Sequence, residues 1–166
     1  MALDGFIKID GIPGESTDAG HKEWIEILSF THTLEQPASA TASSVGGGTA
    51  ERCNHLPFIF RHQLDKSSPK LYDAASTGRH IKEITFELWR AAGDEKVKYM
   101  EVKMEQCIIS KVVSSGTEVA GGFPSEEVSI TYGKIKWNYT QQKRDGGQGG
   151  GNVAAGWDCT ENKTYA

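Results

Sequence analysis

One stretch of the chain carries every signal of a complete helix: Asp65-Lys66-Ser67-Ser68-Pro69-Lys70-Leu71-Tyr72-Asp73-Ala74-Ala75-Ser76-Thr77-Gly78. Ser68 is a favourable N-cap residue, and Pro69 suits the first helical position, where its missing N–H group costs no hydrogen bond. Gly78 can adopt the left-handed conformation that ends many helices. The helical spacing places three apolar side chains on one face: Leu71, Ala74 and Ala75.

A helix of about ten residues is too short to persist alone in water, so it must pack on other elements through this face. Leu71 is therefore a candidate structural anchor. The segments on both sides of the helix show strand patterns. We predict a mainly β protein in which one short α-helix, at about residues 68–77, packs against antiparallel strands.

The composition limits the class of protein. The chain has 166 residues, which favours one domain, and a net charge of −4 without a basic stripe, which argues against a nucleic-acid partner. Cys53, Cys107 and Cys159 form no CxxC motif, so we expect reduced thiols and folding in the cytoplasm. We expect neither a signal peptide nor membrane insertion, because the first residues lack a basic and an apolar region and no apolar run is long enough.

The beginning of the chain predicts a short strand at residues 6–10 and a turn-rich loop at residues 11–20. The loop and the residue after it offer three side chains that could bind a metal ion: Glu15, Asp18 and His21. Nothing in the sequence fixes the geometry of these side chains. We therefore favour a solvated polar loop over a metal site.

Residues 23–34 predict a strand that is apolar on both sides. Leu28, Phe30 and His32 share one face, whereas Ile25 and Ile27 lie on the other. Such a strand is either central in a sheet or part of a contact between subunits.

Residues 35–54 contain Ser, Thr, Ala and Gly with hardly a large side chain. Their centre, Ser43-Ser44-Val45-Gly46-Gly47-Gly48-Thr49, superficially suggests a phosphate-binding loop but lacks the Gly-Lys-Ser/Thr ending. A loop of about twenty residues is unusual in a compact domain and is normally functional or ordered by a partner. We predict that it contacts an adjacent subunit through candidate ring or stacking residues: Thr41, Ser43, Gly46, Gly47, Gly48 and Thr49.

Alternating apolar residues predict three more strands around the helix. In chain order, the first strand carries Leu56, Phe58 and Phe60, and the second carries Ile84, Phe86 and Leu88. After a turn at Gly93-Asp94, the third and longest strand carries Met100, Val102, Met104, Ile108 and Val112 on one face. Glutamates and lysines alternate on the opposite faces, as they do on solvated sheet surfaces.

Residues 127–140 predict one bent strand. The apolar residues change parity at Gly133, and a glycine at such a position is typical of a β-bulge. Gly133 and Trp137 are candidate structural anchors. Six or more antiparallel strands, one of them bent, would form a small closed barrel or a tightly packed β-sandwich.

The last part of the chain begins with a Gly-rich polar stretch, residues 144–151, that predicts a flexible linker. We interpret Trp157, beyond it, as an anchor that returns the tail to the barrel. The chain is therefore divided into a β core at residues 1–143 and a linker and tail at residues 144–166.

The sequence offers no catalytic constellation: it contains neither G-x-S-x-G nor H-E-x-x-H, and its five histidines lack metal-ligand spacing. We expect a protein that is not an enzyme and needs no cofactor or metal. The residues alone indicate a soluble β protein with loops suited to self-association. The alternative is a sugar- or surface-binding β-sandwich, which would use exposed aromatic residues such as Trp24, Trp89 and Trp137.

Four blocks of the sequence carry a resemblance that covers the whole chain. They are Phe6-Ile7-Lys8-Ile9-Asp10-Gly11-Ile12-Pro13-Gly14-Glu15-Ser16 with Asp18 and His21, Asp65-Lys66-Ser67-Ser68-Pro69 with Gly78-Arg79-His80-Ile81, Tyr132-Gly133-Lys134-Ile135-Lys136-Trp137, and Gly156-Trp157-Asp158 with Asn162-Lys163. In this order they resemble the hemolysin-coregulated protein (Hcp) family.

The resemblance implies a structural role in type VI secretion. Proteins of this family form hexameric rings that stack into an inner tube, which a contractile sheath drives out of the bacterium behind a spike protein. The ring lumen holds small effectors, so the implied partners are other copies of the chain, the spike, the sheath and effectors. Thr31 and His32 are then candidate lumen-facing residues. The implied location is the bacterial cytoplasm during assembly, followed by export without a signal peptide.

Overall fold

A computed structural model describes residues 3–37, 51–118, 121–143 and 148–165. In these ranges the chain forms twelve strands and one helix: β1 Asp4–Ile9, β2 Ile25–Ile27, β3 Ser29–Thr31, β4 Leu34–Glu35, β5 Asn54–His55, β6 Phe58–Gln63, α1 Ser68–Thr77, β7 Ile81–Ala92, β8 Glu95–Ser115, β9 Ser125–Thr131, β10 Lys134–Gln142, β11 Gln148–Asp158 and β12 Lys163–Thr164. No helix in the described ranges has the length and apolar character that crossing a membrane requires.

The strands form one large antiparallel arrangement around β8. Seven strands follow the order β12-β11-β10-β8-β7-β1-β2, while the second half of β8 pairs with β9, β9 with β6, and β6 with β3. β4 and β5 form a separate two-stranded ribbon. The predicted mainly β fold with one short helix is confirmed. The sheet does not close into a barrel, so the packed sandwich is the better of the two predicted descriptions.

The hydrophobic core lies between the packed strands of this sandwich and is continuous. Its largest fully buried side chains are Phe58, Phe60, Phe86, Ile7, Ile12, Ile25, Leu71, Ile84, Met104, Ile109, Ile130 and Ile135. Burial of one such side chain stabilises the fold by about 1.5–3 kcal/mol. The predicted alternations in β6 and β7 supply several of these residues, because every second side chain of a strand points to the same layer.

Helix α1 packs on β8 through Leu71 and Ala74, as its spacing predicts. Its N-cap is Ser67 rather than the predicted Ser68, and no side chain caps it. Asp65 organises the entry instead, because its Oδ1 atom accepts a hydrogen bond from the Ser67 N–H at 2.8 Å. The C-terminal prediction is confirmed: Gly78 is left-handed and its N–H donates to the Ala74 carbonyl at 3.1 Å.

The predicted strand at residues 23–34 is wrong as a single element. It changes sheets at Leu28, because β2 pairs with β1 whereas β3 pairs with β6. Ile25 and Ile27 are consequently buried, while Leu28 and Phe30 are 53% and 37% exposed.

The face predicted for the long strand β8 is correct up to Met104 and again at Val112, which packs against the core after a second register shift between Ile109 and Lys111, but it is wrong at Ile108. Gln106 has a positive φ of 55°, which inserts a kink and reverses the parity. Cys107 and Ile109 are therefore buried, and Ile108, predicted to point inward with Met104, points the other way.

The bend at Gly133 divides the predicted single strand into β9 and β10. β9 pairs with β6 and the end of β8, whereas β10 pairs with the middle of β8 and with β11. A Cβ atom at Gly133 would lie only 2.7 Å from Oε1 of Gln106. A side chain at the bend would therefore have to displace the side chain of Gln106, whose Cβ atom would also lie only 3.1 Å away.

The predicted linker is also corrected in part. Glycines 149 to 151 belong to strand β11, which pairs with β10. A Cβ atom at Gly149 would collide with the carbonyl oxygen of Gln141. These glycines therefore allow close approach of two strands, whereas residues 144–147 lie outside the described ranges.

Candidate assembly surfaces

A buried polar cluster joins the loop after β1 to the main sheet; we call His21, Asp18 and Glu87 the His21 cluster. The Nδ1 atom of His21 lies 2.7 Å from Oδ2 of Asp18, and Nε2 lies 2.7 Å from Oε2 of Glu87. The imidazole stacks on Phe6 with ring centroids 4.1 Å apart. Only 4% of His21 is exposed, so the predicted solvated loop is wrong at this residue.

The electrostatics of the cluster centre on Glu87. Burial raises the pKa of Glu87, but hydrogen bonds from His21, Trp89 and Lys98 outweigh this effect and hold its pKa below the ordinary value. The hydrogen bond from His21 similarly lowers the pKa of Asp18. The cluster is thus a structural ionic network. No three His, Cys, Asp or Glu side chains in the described ranges are grouped to hold a metal ion.

A second buried pair lies beneath the helix. Nε2 of His62 is 3.0 Å from Oε2 of Glu126, and both side chains are fully buried. The hydroxyl groups of Tyr72 and Ser114 donate to the other carboxylate oxygen of Glu126. The hydrogen bond to Glu126 raises the pKa of Tyr72. The hydrogen bonds that Glu126 accepts from Tyr72 and Ser114 link α1 to β8 and β9.

Aromatic rings surround a cleft between the β4–β5 ribbon and strands β10 and β11; we call its rings, His32, His55, Trp137 and Trp157, the aromatic cleft. Nε1 of Trp137 donates to Nε2 of His32 at 2.9 Å. The ring of His55 is nearly parallel to those of Trp137 and Trp157, with centroids 6.5 and 6.3 Å away. A cavity of about 440 Å³ opens beside them, with Leu34 on its wall.

Burial governs the chemistry of the cleft. It lowers the pKa of His32, with a further contribution from His55, and it lowers the pKa of His55, with a further contribution from Arg52. Both imidazoles are therefore suited to remain neutral. A neutral His32 can accept the hydrogen bond from Trp137, because its Nε2 atom then carries a lone pair.

The three cysteines are free thiols. Cys107 is buried in the core, and burial raises its pKa to about 12. Cys53 and Cys159 are half-buried and line a second cavity beside the aromatic cleft. Burial also raises the pKa of Cys159. These thiols are suited to packing rather than to nucleophilic chemistry.

The two faces of β10 and β11 differ in character. One face carries Lys134 and Lys136, and the ring of Tyr165 lies over both ammonium groups. The other face extends outward from the buried Ile135 to Tyr139 and Val153. Tyr139 and Val153 pair directly across the two strands and are 46% and 69% exposed, respectively. The apolar layer therefore extends beyond the side chains that cover it.

The structure places the sequence-predicted residues at separate locations. Leu71 lies in the core, Gly133 lies at the bend, and Trp137 and Trp157 pack partly buried against the core. Thr31 is exposed at the end of β3, and His32 is half-buried in the aromatic cleft. The candidate contact residues from Thr41 to Thr49 lie outside the described ranges.

Sequence reasoning missed the roles of Glu87, His62 and Glu126. Glu87 lies on the strand face opposite the alternating apolar residues, and that face was expected to be exposed to solvent. Trp89, two positions later on the same face, is the signal that could have found it, because a large aromatic side chain seldom lies on a fully solvated face. His62 lies on the same strand face as Phe58 and Phe60, which indicates that its side chain is buried.

Comparisons with known proteins agree with this architecture. The family model described as "Type VI secretion system effector, Hcp" matches residues 6–139. Protein Hcp1 of Pseudomonas aeruginosa is 33% identical over 164 residues, which cover 98% of each chain. The chain also superimposes with a TM-score of 0.92 on a solved type six secretion system protein, at 29% identity and with 99% of this chain and 100% of the other covered.

A further solved structure, Hcp1 from Salmonella typhimurium, gives a TM-score of 0.82 at 30% identity, with 99% of this chain and 100% of the other covered. The likeness thus extends along the whole chain in both sequence and fold. The chain belongs to the Hcp family of type VI secretion system effectors.

Proposed function

We propose that the chain is a structural subunit of a type VI secretion tube: six copies form a ring, rings stack into the inner tube, and the protein is exported with it. The observation that carries the proposal is membership of the Hcp family over residues 6–139. A structural role also agrees with the buried contacts between histidines and carboxylates and with the packed thiols, which belong to the interior of the subunit.

Surface chemistry supports self-association. Five large apolar side chains on or beside strands β3, β4, β10 and β11 remain substantially exposed: Leu28, Phe30, Leu34, Tyr139 and Val153. Exposed apolar surface of this kind is typical of protein contacts. The alternative sugar-binding role has less support, because Trp24 and Trp89 pack edge-on against His21 and Trp137 lies against His32.

The proposed partners are the spike protein, the contractile sheath and small effectors held in the ring lumen. Thr31 is better placed than His32 to face such a lumen, because the side chain of His32 takes part in the aromatic cleft. The proposal that residues 41–49 contact an adjacent subunit, within the ring or in the ring stacked above, follows from their length and their small side chains.

Light scattering after size-exclusion chromatography tests the assembly. We expect a particle of six times the subunit mass, and rings with a central opening in negative-stain electron microscopy. A monodisperse monomer at concentrations up to about 100 µM would contradict the proposal. A functional ring contact whose dissociation constant lies below that concentration would be populated there.

Export is tested separately. We expect the protein in the culture supernatant of a bacterium with an active type VI system and its absence from the supernatant when the sheath gene is deleted. Equal export from both strains would show that another route carries the protein.

A further inference from the structure

Two of the three cysteines line one cavity. Cys53 precedes β5, Cys159 follows β11, and both are half-buried in the wall of the second cavity beside the aromatic cleft, which has a volume of about 320 Å³. Burial raises the pKa of Cys159, and the negative charges of Asp158 and of a Cys53 thiolate raise it further. A charge acts on a pKa in this way only from a short distance. The two thiols, although distant in sequence, are therefore neighbours.

Different kinds of contact hold the two thiols. Cys159 is fixed to the sheet, because its N–H donates to the carbonyl of Gly133 at 2.8 Å. Cys53 belongs to the segment that leads into the β4–β5 ribbon, and this ribbon pairs with no other strand in the described ranges. Arg52 connects the two sides, since its guanidinium group donates to the carbonyl of Cys159. One thiol thus lies on the sheet, and the other lies on a segment that side chains hold against it.

This arrangement suits a disulfide. A disulfide requires Cα atoms about 4.4–6.8 Å apart and a dihedral angle of about 90° around its S–S bond. A segment held by side chains can shift to meet these demands, because the shift breaks no hydrogen bond of a larger sheet. The ring of His55 keeps the segment beside the cavity, because it lies edge-on to the ring of Tyr132 with centroids 5.9 Å apart.

We propose that Cys53 and Cys159 form an intramolecular disulfide under oxidising conditions, which fastens the β4–β5 ribbon to the end of β11. The oxidant is a low-molecular-weight disulfide such as oxidised glutathione. The thiolate of Cys53 attacks one of its sulfur atoms, which forms a mixed disulfide and releases a glutathione thiolate. The thiolate of Cys159 then attacks Sγ of Cys53, which forms the Sγ–Sγ bond and releases the second glutathione thiolate. The two cysteines lose two electrons and two protons, and the oxidant is reduced to two molecules of glutathione.

The third cysteine is excluded from this chemistry. Cys107 is fully buried in the core, where burial raises its pKa to about 12. A thiol that is neither accessible nor ionised does not exchange with disulfides. The raised pKa of Cys159 also slows its own attack near neutral pH, so the exchange is best followed at about pH 8.

The disulfide gains importance when the chain changes compartment. Disulfides persist in oxidising environments and are rare in the cytoplasm. The inference itself needs no ring, but its timing rests on the proposed export, which moves the chain from reducing to oxidising surroundings. The ribbon is then held by side chains during assembly and by a covalent bond after export.

Mass spectrometry of the folded protein tests the linkage. After incubation with oxidised glutathione, digestion without reduction should yield a peptide that joins Cys53 to Cys159, and the free thiols counted in denaturant should fall from three to one. Cys53→Ser and Cys159→Ser are the matched controls, and neither should form an internal link. Absence of the link in the wild-type protein, a link to Cys107 or a link between two chains would overturn the inference.

Hydrogen exchange tests the fastening of the ribbon. The amide groups of residues 53–56 should exchange at least about tenfold more slowly in the linked protein than in the reduced one, and dithiothreitol should restore the faster rate. Cys159→Ser, treated in the same way, should show no change. Equal exchange in the linked and reduced wild-type protein would overturn the inference. These measurements concern a single subunit, so their failure would leave the proposed function standing, whereas a monomeric wild-type protein would refute the proposed ring alone.

Discussion

The Nε2 atom of His21 lies 2.7 Å from Oε2 of Glu87, although 66 residues separate them in sequence. His21 belongs to the loop after β1, and Glu87 lies in the middle of β7, so this contact fastens the loop to the sheet. Nε1 of Trp89 and Nζ of Lys98 also donate to Glu87, at 2.8 and 3.3 Å. These donors compensate for the desolvation of a carboxylate that would otherwise destabilise the fold.

Glu87→Gln should lower the free energy of unfolding by about 2–4 kcal/mol, because it removes the charge that its buried donors require. Urea denaturation measures the change. Glu83→Gln is the matched control, since Glu83 lies in the same strand but is exposed, and it should change stability by less than about 0.5 kcal/mol. Equal effects of the two substitutions would show that the His21 cluster does not stabilise the fold.

The His21 cluster should also make the protein sensitive to acid. The pKa values of Asp18 and Glu87 are lower in the folded protein than in the unfolded chain. Their stabilising contribution is therefore complete above about pH 5 and is lost as the pH falls through the folded values. We expect the free energy of unfolding to fall between pH 5 and pH 3, with a shallower slope in Glu87→Gln. Parallel slopes in the two proteins would contradict this assignment.

Leu71→Asp should unfold the subunit or destabilise it by more than about 4 kcal/mol. Leu71 is completely buried, so the substitution replaces core packing with an unpaired carboxylate. Lys70→Asp places the same carboxylate on the exposed side of the helix and serves as the control. Thermal unfolding followed by circular dichroism distinguishes them. An unchanged melting temperature for Leu71→Asp would mean that the helix does not hold the layers together.

The features that sequence could predict are those fixed by neighbouring residues. The helix from Ser68 to Thr77 and the hairpin turn at Gly93 follow from apolar spacing, the glycine that ends the helix and turn chemistry, which act over a few positions. Family membership was also accessible, because its motifs lie in continuous blocks. The buried polar networks depend on contacts between segments that are distant in sequence, and local patterns did not predict them.

The failures have a common physical origin. Gln106 reverses the face of β8 by adopting a positive φ, which glutamine does not signal in sequence. Glu87 belongs to a buried network only because the loop that contains His21 folds over it. Leu28 marks a change of sheet that depends on two different strand partners. Each outcome is decided by contacts between segments that local patterns do not connect.

Gly133 and Gln106 should be coupled. A Cβ atom at Gly133 would lie 2.7 Å from Oε1 and 3.1 Å from Cβ of Gln106, so Gly133→Val should cost about 1–3 kcal/mol of stability through overpacking. Gln106→Gly should be stabilising or neutral on its own, because glycine adopts the positive φ without strain.

A double-mutant cycle measures the coupling between these two positions. With Gln106→Gly in place, Gly133→Val should cost at least about 0.5 kcal/mol less than it costs alone, because the obstructing side chain is absent. Additive effects would mean that Gly133 is required for another reason, such as contact with Thr160, whose methyl group is 3.4 Å from the same Cβ position.

The hydrogen bond from Trp137 to His32 predicts a second pH dependence, in a higher range. Burial and the neighbouring His55 lower the pKa of His32, so below about pH 6.5 the unfolded chain takes up a proton that the folded protein resists. Stability therefore decreases as the pH falls from 7 to 5. Protonation also removes the Nε2 lone pair that accepts the hydrogen bond from Trp137.

His32→Phe should preserve aromatic packing, lower stability by about 1 kcal/mol at pH 7 through the unpaired indole N–H, and flatten the pH profile. His80→Gln, on the exposed surface, is the control and should leave the profile unchanged. Urea denaturation followed by tryptophan fluorescence at pH 7, 6 and 5 provides the measurement, and an unflattened profile in His32→Phe would assign the pH dependence to other groups.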